Sequence, residues 1–237
     1  MLRKVKRVLL VPHNDVLFQW GLDRMDAAQL DAPRRHGLVA YRDSLMIALL
    51  ASRGRRLRLM SLMRAYRELF AHDDGYRIEF TADQVKTNRP DHFNLPVRMT
   101  PYLTHYLEVV RPALLRGADL SDVWIGINGD RLSAKGIQSR IERLSKPRFG
   151  VAFGPHRFRH AIGTTAPLRD PTNPGLAAGV LGVSKTMVEQ HYNRAGQIEA
   201  TTKWAEVIEA RQRELGMALR LGPGAERPRL MYRLRIE

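Results

Sequence analysis

The pattern of apolar and polar positions divides the chain into helices on either side of a short stretch of strands. From Asp43, placed to cap a helix, Leu45, Ala48, Leu49 and Ser52 fall on one helical face. Beyond Gly54 a second helix is expected to carry Leu59, Leu62, Met63 and Tyr66. His72-Asp73-Asp74-Gly75 is a turn signal, after which Tyr76, Ile78 and Phe80 alternate with Arg77 and Glu79 at the period of a strand. VKTNRPDHFNLP continues as strand, turn and strand, turning over Asn88 to Asp91. Thr100-Pro101 opens a helix bearing Leu103, Tyr106, Leu107 and Val110, limited or kinked by Pro112. VWIGINGDRLS reads as a strand and turn with Ser133 capping the next helix, and helices dominate from His156 to about Leu215. Helices, a meander, then helices predict an α+β, mainly α fold, with helices around a small three-stranded antiparallel sheet.

The flanks read differently. Residues 1–36 are expected to form an N-terminal arm with one short helix, Asp23 to Leu30, ending near Pro33. The body is expected over 37–215. The tail, 216–237, is rich in Gly, Pro and Arg (LGPGAERPRL) and is expected to leave the main fold. The apolar run Val8 to Val11 is too short for the core of an export signal, and no apolar run is long enough for a membrane span.

Composition narrows the partners. Of 237 residues, 44% are hydrophobic, enough for a packed core, yet the formal net charge is +15. An excess of cations on that scale suits a polyanion, with nucleic acid first and an anionic membrane surface second. The chain has no cysteine, which excludes disulfides, thiolate catalysis and cysteine zinc sites and agrees with a cytoplasmic setting.

Two segments carry candidate chemistry. In GPHRFRHAIGTT, His156 and Arg159 share a helix face. A guanidinium is a permanent bidentate phosphate donor, and an imidazole can exchange a proton near neutral pH. By itself the pair serves equally as a cap and as surface charge. A zinc-protease motif does not fit, because His156 is not followed by Glu and His160 is at the wrong spacing. The second segment, AAGVLGVSKTMVEQHYNRA, has a Leu181-Gly182 turn, a short helix opened by Ser184, and then His191-Tyr192. It also passes for a helix-turn-helix, in which Tyr192 would merely pack.

Taken together and in this order, HRFR and LGVSKTMVEQHY resemble the catalytic domain of the tyrosine recombinases (phage-integrase family) over roughly Arg42 to Arg194. The resemblance implies that Tyr192 is the nucleophile and that His156 and Arg159 form the His-x-x-Arg box. It implies a first-box arginine in ASRGRRLRLMSL. Arg55 puts Leu59 and Leu62 at the family offsets, and Arg56, two residues after Gly54, is the alternative register. Lys86 stands where the family has a hairpin lysine. Two positions depart from the pattern. Arg58 replaces the usual acidic or Asn residue, and Val183 replaces the His or Trp that donates to the phosphate, leaving His191 or His160 as candidates to act instead. The helical domain that usually precedes the catalytic one is expected to be reduced to the N-terminal arm.

The family chemistry implies double-stranded DNA as the partner, self-association or a related recombinase on that DNA, a bacterial nucleoid-associated setting, and no metal or other cofactor. Tyr192 would attack a phosphate to give a 3′-phosphotyrosine, with Arg55 and Arg159 neutralising oxygens, Lys86 protonating the leaving oxygen and His156 handling the tyrosine proton. Three other readings compete: the helix-turn-helix binder, a recombinase-like protein that binds without cutting, and a type IB topoisomerase, which the LGVSKTMVEQHYNRA segment disfavours.

The charge alone makes a prediction. Duplex-DNA affinity should fall by on the order of 10³-fold between roughly 50 and 200 mM salt as counterions are released. A flat salt series, measured by fluorescence anisotropy, removes the nucleic-acid reading.

Overall fold

The computed structural model describes residues 12–30, 34–173, 175–191, 204–214 and 216. The chain separates into two compact units, Met1–Arg194 and Ala195–Glu237. In the second, residues 204–214 are helical. The expected tail lies, apart from residue 216, outside the described residues.

The first unit opens with α1 (Asn14–Leu30) packed along α2 (Arg35–Arg53). Leu17, Trp20, Leu22 and Met25 of α1 are buried in the main core. The helix is thus longer than the segment expected from Asp23 and belongs to the body; it is not a separate arm. Trp20 meets Phe149 edge-on at 5.1 Å. The Asn14 amide donates to the Thr165 hydroxyl at 3.0 Å, and its side chain donates to the Ala51 carbonyl at 2.9 Å. The capping role expected of Asp43 is not observed, because α2 starts eight residues earlier, at Arg35. Asp43 sits instead in mid-helix, 2% exposed. Its Oδ1 accepts from Arg42 Nε and Nη2 at 3.0 and 2.6 Å, and its Oδ2 accepts from Arg140 Nε at 2.7 Å. Arg42 Nη1 donates onward to the Ile125 carbonyl. The Asp43 carboxylate thus ties α2 to α6 (Ala134–Phe149), and Arg42, which it holds, ties α2 to the 123–132 loop.

After α3 (Leu57–Leu62) come β1 (Leu69–His72), β2 (Gly75–Phe80) and β3 (Asp91–Asn94), an antiparallel sheet in that order. The three-stranded meander is present, but its membership differs from the pattern reading. The first strand is β1, which is too short to show a period, and Val85–Thr87 belongs to a turn. Met63 and Tyr66 fall outside α3, and Tyr66 has φ +65°. β2 pairs Ile78 with Phe93 and Phe80 with Asp91, which puts Ile78, Phe80 and Phe93 in the core.

Helix α4 (Thr100–His105) follows a 3₁₀ turn and runs through a π-helical turn, Tyr106–Val110, into α5 (Arg111–Leu115). Pro112 accounts for the widened turn: its ring would clash with the carbonyl of Glu108 in a regular α-helix. VWIGINGDRLS forms an isolated Ile125–Arg131 bridge instead of a strand, with Val123, Trp124 and Ile125 buried. Ser133 caps α6 as expected, its Oγ accepting from the Gly136 amide at 3.1 Å. α7 (His156–Arg169), α8 (Leu176–Leu181) and α9 (Lys185–His191) complete the unit, with Ile162, Ala177, Ala178, Leu181 and Val188 forming a smaller apolar cluster. No described helix is long and apolar enough to cross a membrane.

Removing the Asp43 carboxylate would leave two arginines facing each other without their shared acceptor. Asp43→Ala is expected to lower unfolding stability by about 3 kcal/mol, read from urea denaturation. A loss within the error of the measurement would show that the buried cluster is not holding these three segments.

Candidate active site

The site is organised where α2 ends. Gly54 closes α2 in the left-handed region, φ +36°, with its amide donating to the Leu50 carbonyl at 2.7 Å. A Cβ there would lie 2.7 Å from Ile162 Cδ1 and 2.9 Å from Leu181 Cδ2, so space and backbone conformation both call for glycine. The turn sends Arg55 inward, 8% exposed, and leaves Arg56 half-buried ahead of α3.

Arg159 reaches the same place from α7. It is 3% exposed, and its Nη1 donates to the Gly54 carbonyl at 2.6 Å. Nη1 and Nη2 also lie 3.3 and 3.4 Å from the Leu181 carbonyl at the end of α8. The start of α7 is held from behind by Ser145, whose Oγ donates to the Phe153 carbonyl at 3.1 Å and accepts from the Phe153 amide at 2.8 Å. His156 stands at the exposed first turn of α7, its ring 4.9 Å from that of His160. Partial burial, reinforced by the charges of Arg159 and Arg157, holds the His156 pKa below its ordinary value.

Arg55 and Arg56 line two clefts. The larger, about 790 Å³, is closed by Thr87 and Arg89 of the β2–β3 loop, Asp91, and Gly182, Val183 and Met187 of α8–α9. The smaller, about 410 Å³, is bounded by Gln138 and Glu142 of α6 with His156 and Arg159 of α7. Burial pulls the Arg55 pKa down to about 10; Asp91 opposes that shift, and Arg53, Arg159 and Arg56 add to it. Arg55 therefore keeps its charge at neutral pH.

The expected site residues are brought together unevenly. Arg55, Arg159 and His156 share the smaller cleft, and Val183 lines the larger one while packing against the apolar cluster of α8. Lys86 is exposed on the β2–β3 loop, beside lining residues Val85 and Thr87 but outside the lining itself. α9 runs to His191; Tyr192 lies outside the described residues, as does the side chain of His191. Pattern reading missed Arg89, Asp91 and Phe93. Arg89 and Asp91 looked like turn residues, and the one signal available was the two-residue spacing of Asp91 and Phe93 on a strand.

Two adjoining cationic clefts meet at Arg55 and Arg56 in a mainly helical domain, and known proteins share this fold. No family model matches the chain. By sequence it is 28% identical over 138 residues to tyrosine recombinase XerD of Staphylococcus epidermidis, covering 58% of this chain and 45% of that protein. It is 27% identical over 146 residues to XerD of Staphylococcus aureus, with the same coverage. The chain thus spans about half the length of the curated relatives it matches. Among solved structures it resembles XerH site-specific recombinase bound to palindromic difH substrate in a post-cleavage complex. That match has a TM-score of 0.59 at 17% identity and covers 86% of this chain and 56% of that one. It also resembles XerA recombinase, with a TM-score of 0.55 at 19% identity, covering 77% and 62%. The chain is thus similar in sequence to tyrosine recombinases over part of their length and shares its fold with recombinases of that kind.

The His156 environment makes a pH prediction. Its folded pKa lies below the ordinary value of 6.5, so as pH falls the unfolded chain takes up the proton first. The stability contributed is present above about pH 6.5 and is lost as pH drops through the folded pKa. In free protein, NMR titration should place the His156 ring below an unfolded-peptide reference. A midpoint at or above that reference contradicts this electrostatic account.

Proposed function

We propose that this protein is a site-specific DNA recombinase that cleaves and rejoins DNA through a 3′-phosphotyrosine intermediate. The observation that carries the proposal is the meeting of Arg55 and Arg159, from distant parts of the chain, at one cationic cleft, with Arg159 also reaching the Leu181 carbonyl and Arg55 also lining the adjoining cleft beside Gly182. Double-stranded DNA is the substrate, engaged by several copies or by a related recombinase. The setting is the bacterial cytoplasm and nucleoid, on a mobile element or phage-derived locus. DNA binding is supported by the +15 charge and by the likeness in fold to XerH, a recombinase solved on its difH substrate.

In this mechanism Tyr192 attacks the scissile phosphorus, forming the tyrosyl ester and breaking the bond to the 5′ oxygen. Arg55 and Arg159 bind the non-bridging oxygens as charge builds, which is where fixed donors act most strongly. Lys86 gives a proton to the leaving 5′ oxygen, and His156 takes the tyrosine proton. Lys86 lies outside the cleft lining without DNA, so the β2–β3 loop has to carry it inward when DNA binds. The ester conserves the bond energy, so a second 5′-hydroxyl can reverse the step without ATP or a metal ion.

A second reading is a protein that binds DNA but cuts weakly or not at all. It is favoured by Val183, an apolar residue at a position where relatives place a phosphate donor. Losing such a donor costs on the order of 3 kcal/mol of transition-state stabilisation.

Incubation with nicked suicide duplexes from the flanking DNA separates the two readings. A covalent adduct is expected on the peptide containing His191-Tyr192-Asn193, and Tyr192→Phe should abolish it with affinity changed less than about twofold. Val183→His should raise the adduct rate by about 10-fold or more. No adduct from the parent protein, or one that survives Tyr192→Phe, overturns the recombinase mechanism.

A further inference from the structure

We infer that Asp91 and Phe93, neighbours on one face of β3, are positioning residues that fix the Arg55 guanidinium for its phosphate. This rests on the recombinase reading for the role of Arg55 and adds the residues that hold it. Arg55 lies in the non-helical link 54–56, so no helix directs its long side chain. Its surroundings do so instead. Asp91 Oδ1 accepts from Arg55 Nη2 at 2.6 Å, with both side chains largely buried. The Phe93 ring lies 4.8 Å from the Arg55 guanidinium and 4.5 Å from that of Arg53. On another side, a Cβ at Gly182 would run into Arg55 Nη1, so the bare backbone of the α8–α9 turn bounds the guanidinium.

The strand register makes this box rigid. Phe93 pairs with Ile78 and Asp91 with Phe80, in a sheet anchored in the core. Residues two apart on a strand point the same way, so one short strand supplies both the carboxylate and the ring. Related sequences are expected to carry an acidic or Asn residue three places after the first-box arginine; here that residue is Arg58, an exposed cation. The carboxylate for Arg55 thus comes from a different element. It also leaves a donor available: Asp91 engages only Nη2, no described residue accepts from Nη1, and Nε is buried. Nη2 is held by the protein, and Nη1 is left for a phosphate.

The test uses the full chain with Asp91→Ala, the near-isosteric Asp91→Asn and Asp91→Glu, with thermal melting to confirm folding. Two readouts are taken. The first is the rotation of the Arg55 guanidinium by ¹⁵N NMR, its signal assigned by its loss in Arg55→Lys. The second is the adduct rate on nicked flanking DNA at saturation, alongside DNA affinity. In the parent protein the guanidinium should rotate slowly. In Asp91→Ala it should rotate freely, and the saturated adduct rate should fall on the order of 10- to 100-fold while affinity holds or tightens. Asp91→Asn should lose less than Ala and is the decisive variant if Ala does not fold; Asp91→Glu should recover part of the rate. Unchanged guanidinium rotation overturns the inference. So does an equal or faster saturated rate, which would make Asp91 a stand-in that phosphate displaces. If the parent protein forms no adduct, the recombinase reading fails, and the NMR arm still decides whether Asp91 holds Arg55.

Discussion

The candidate site depends on one buried cation, Arg159. Its guanidinium binds the Gly54 carbonyl where α2 ends and faces the Leu181 carbonyl where α8 ends, tying together three segments that sequence separates widely. A guanidinium can do this because its five donors lie in one plane and never lose their proton, so it can cap two helix ends at once. Both carbonyls lie at helix C-termini, where the backbone partial charge is negative, which offsets part of the cost of burying the cation. The exit direction of Arg55, the placement of the Gly182 turn and the mouths of both clefts follow from that tie.

Arg159 is in turn held by α7, and α7 by the packing behind it. Ser145 fixes the backbone at Phe153, and the Phe153 ring packs tilted against Phe149 and edge-on against Phe158. Trp20 of α1 closes the same aromatic group. The Arg42–Asp43–Arg140 cluster ties the middle of α2 to its neighbours as Arg159 ties its C-terminus. The candidate site thus consists of cations whose positions are set by buried hydrogen bonds, with the apolar core supplying the frame. Positive charge concentrated in this way disfavours the empty cleft and favours an anion.

Some of this was legible along the chain and some was not. His156 and Arg159 were readable because helical spacing alone puts them on one face, and Ser133 because a cap is a local bond. The Gly54-Arg55-Arg56 register was open in sequence, since both arginines suit a basic turn; the structure separates them by burial, with Arg55 turned inward. Asp43 was misread because a lone carboxylate ahead of an apolar run looks like a cap, and only distant Arg140 reveals it as a buried partner. β1 was missed because four residues of mixed burial carry no period, and their strand character comes from pairing with β2.

The sequence by itself determined the class: a basic, cysteine-free, mainly helical domain with a small sheet, and a set of residue types whose order resembles that of the tyrosine recombinases. These are properties of composition, local period and spacing, which need no knowledge of distant neighbours. Tertiary structure alone decided that α1 belongs to the core, that Arg159 grips two helix ends, and that Asp91 and Phe93 of β3 hold Arg55. Each of those depends on residues far apart in the chain meeting in space, and a carboxylate or a ring gives no local sign of the partner it will find once the core has closed.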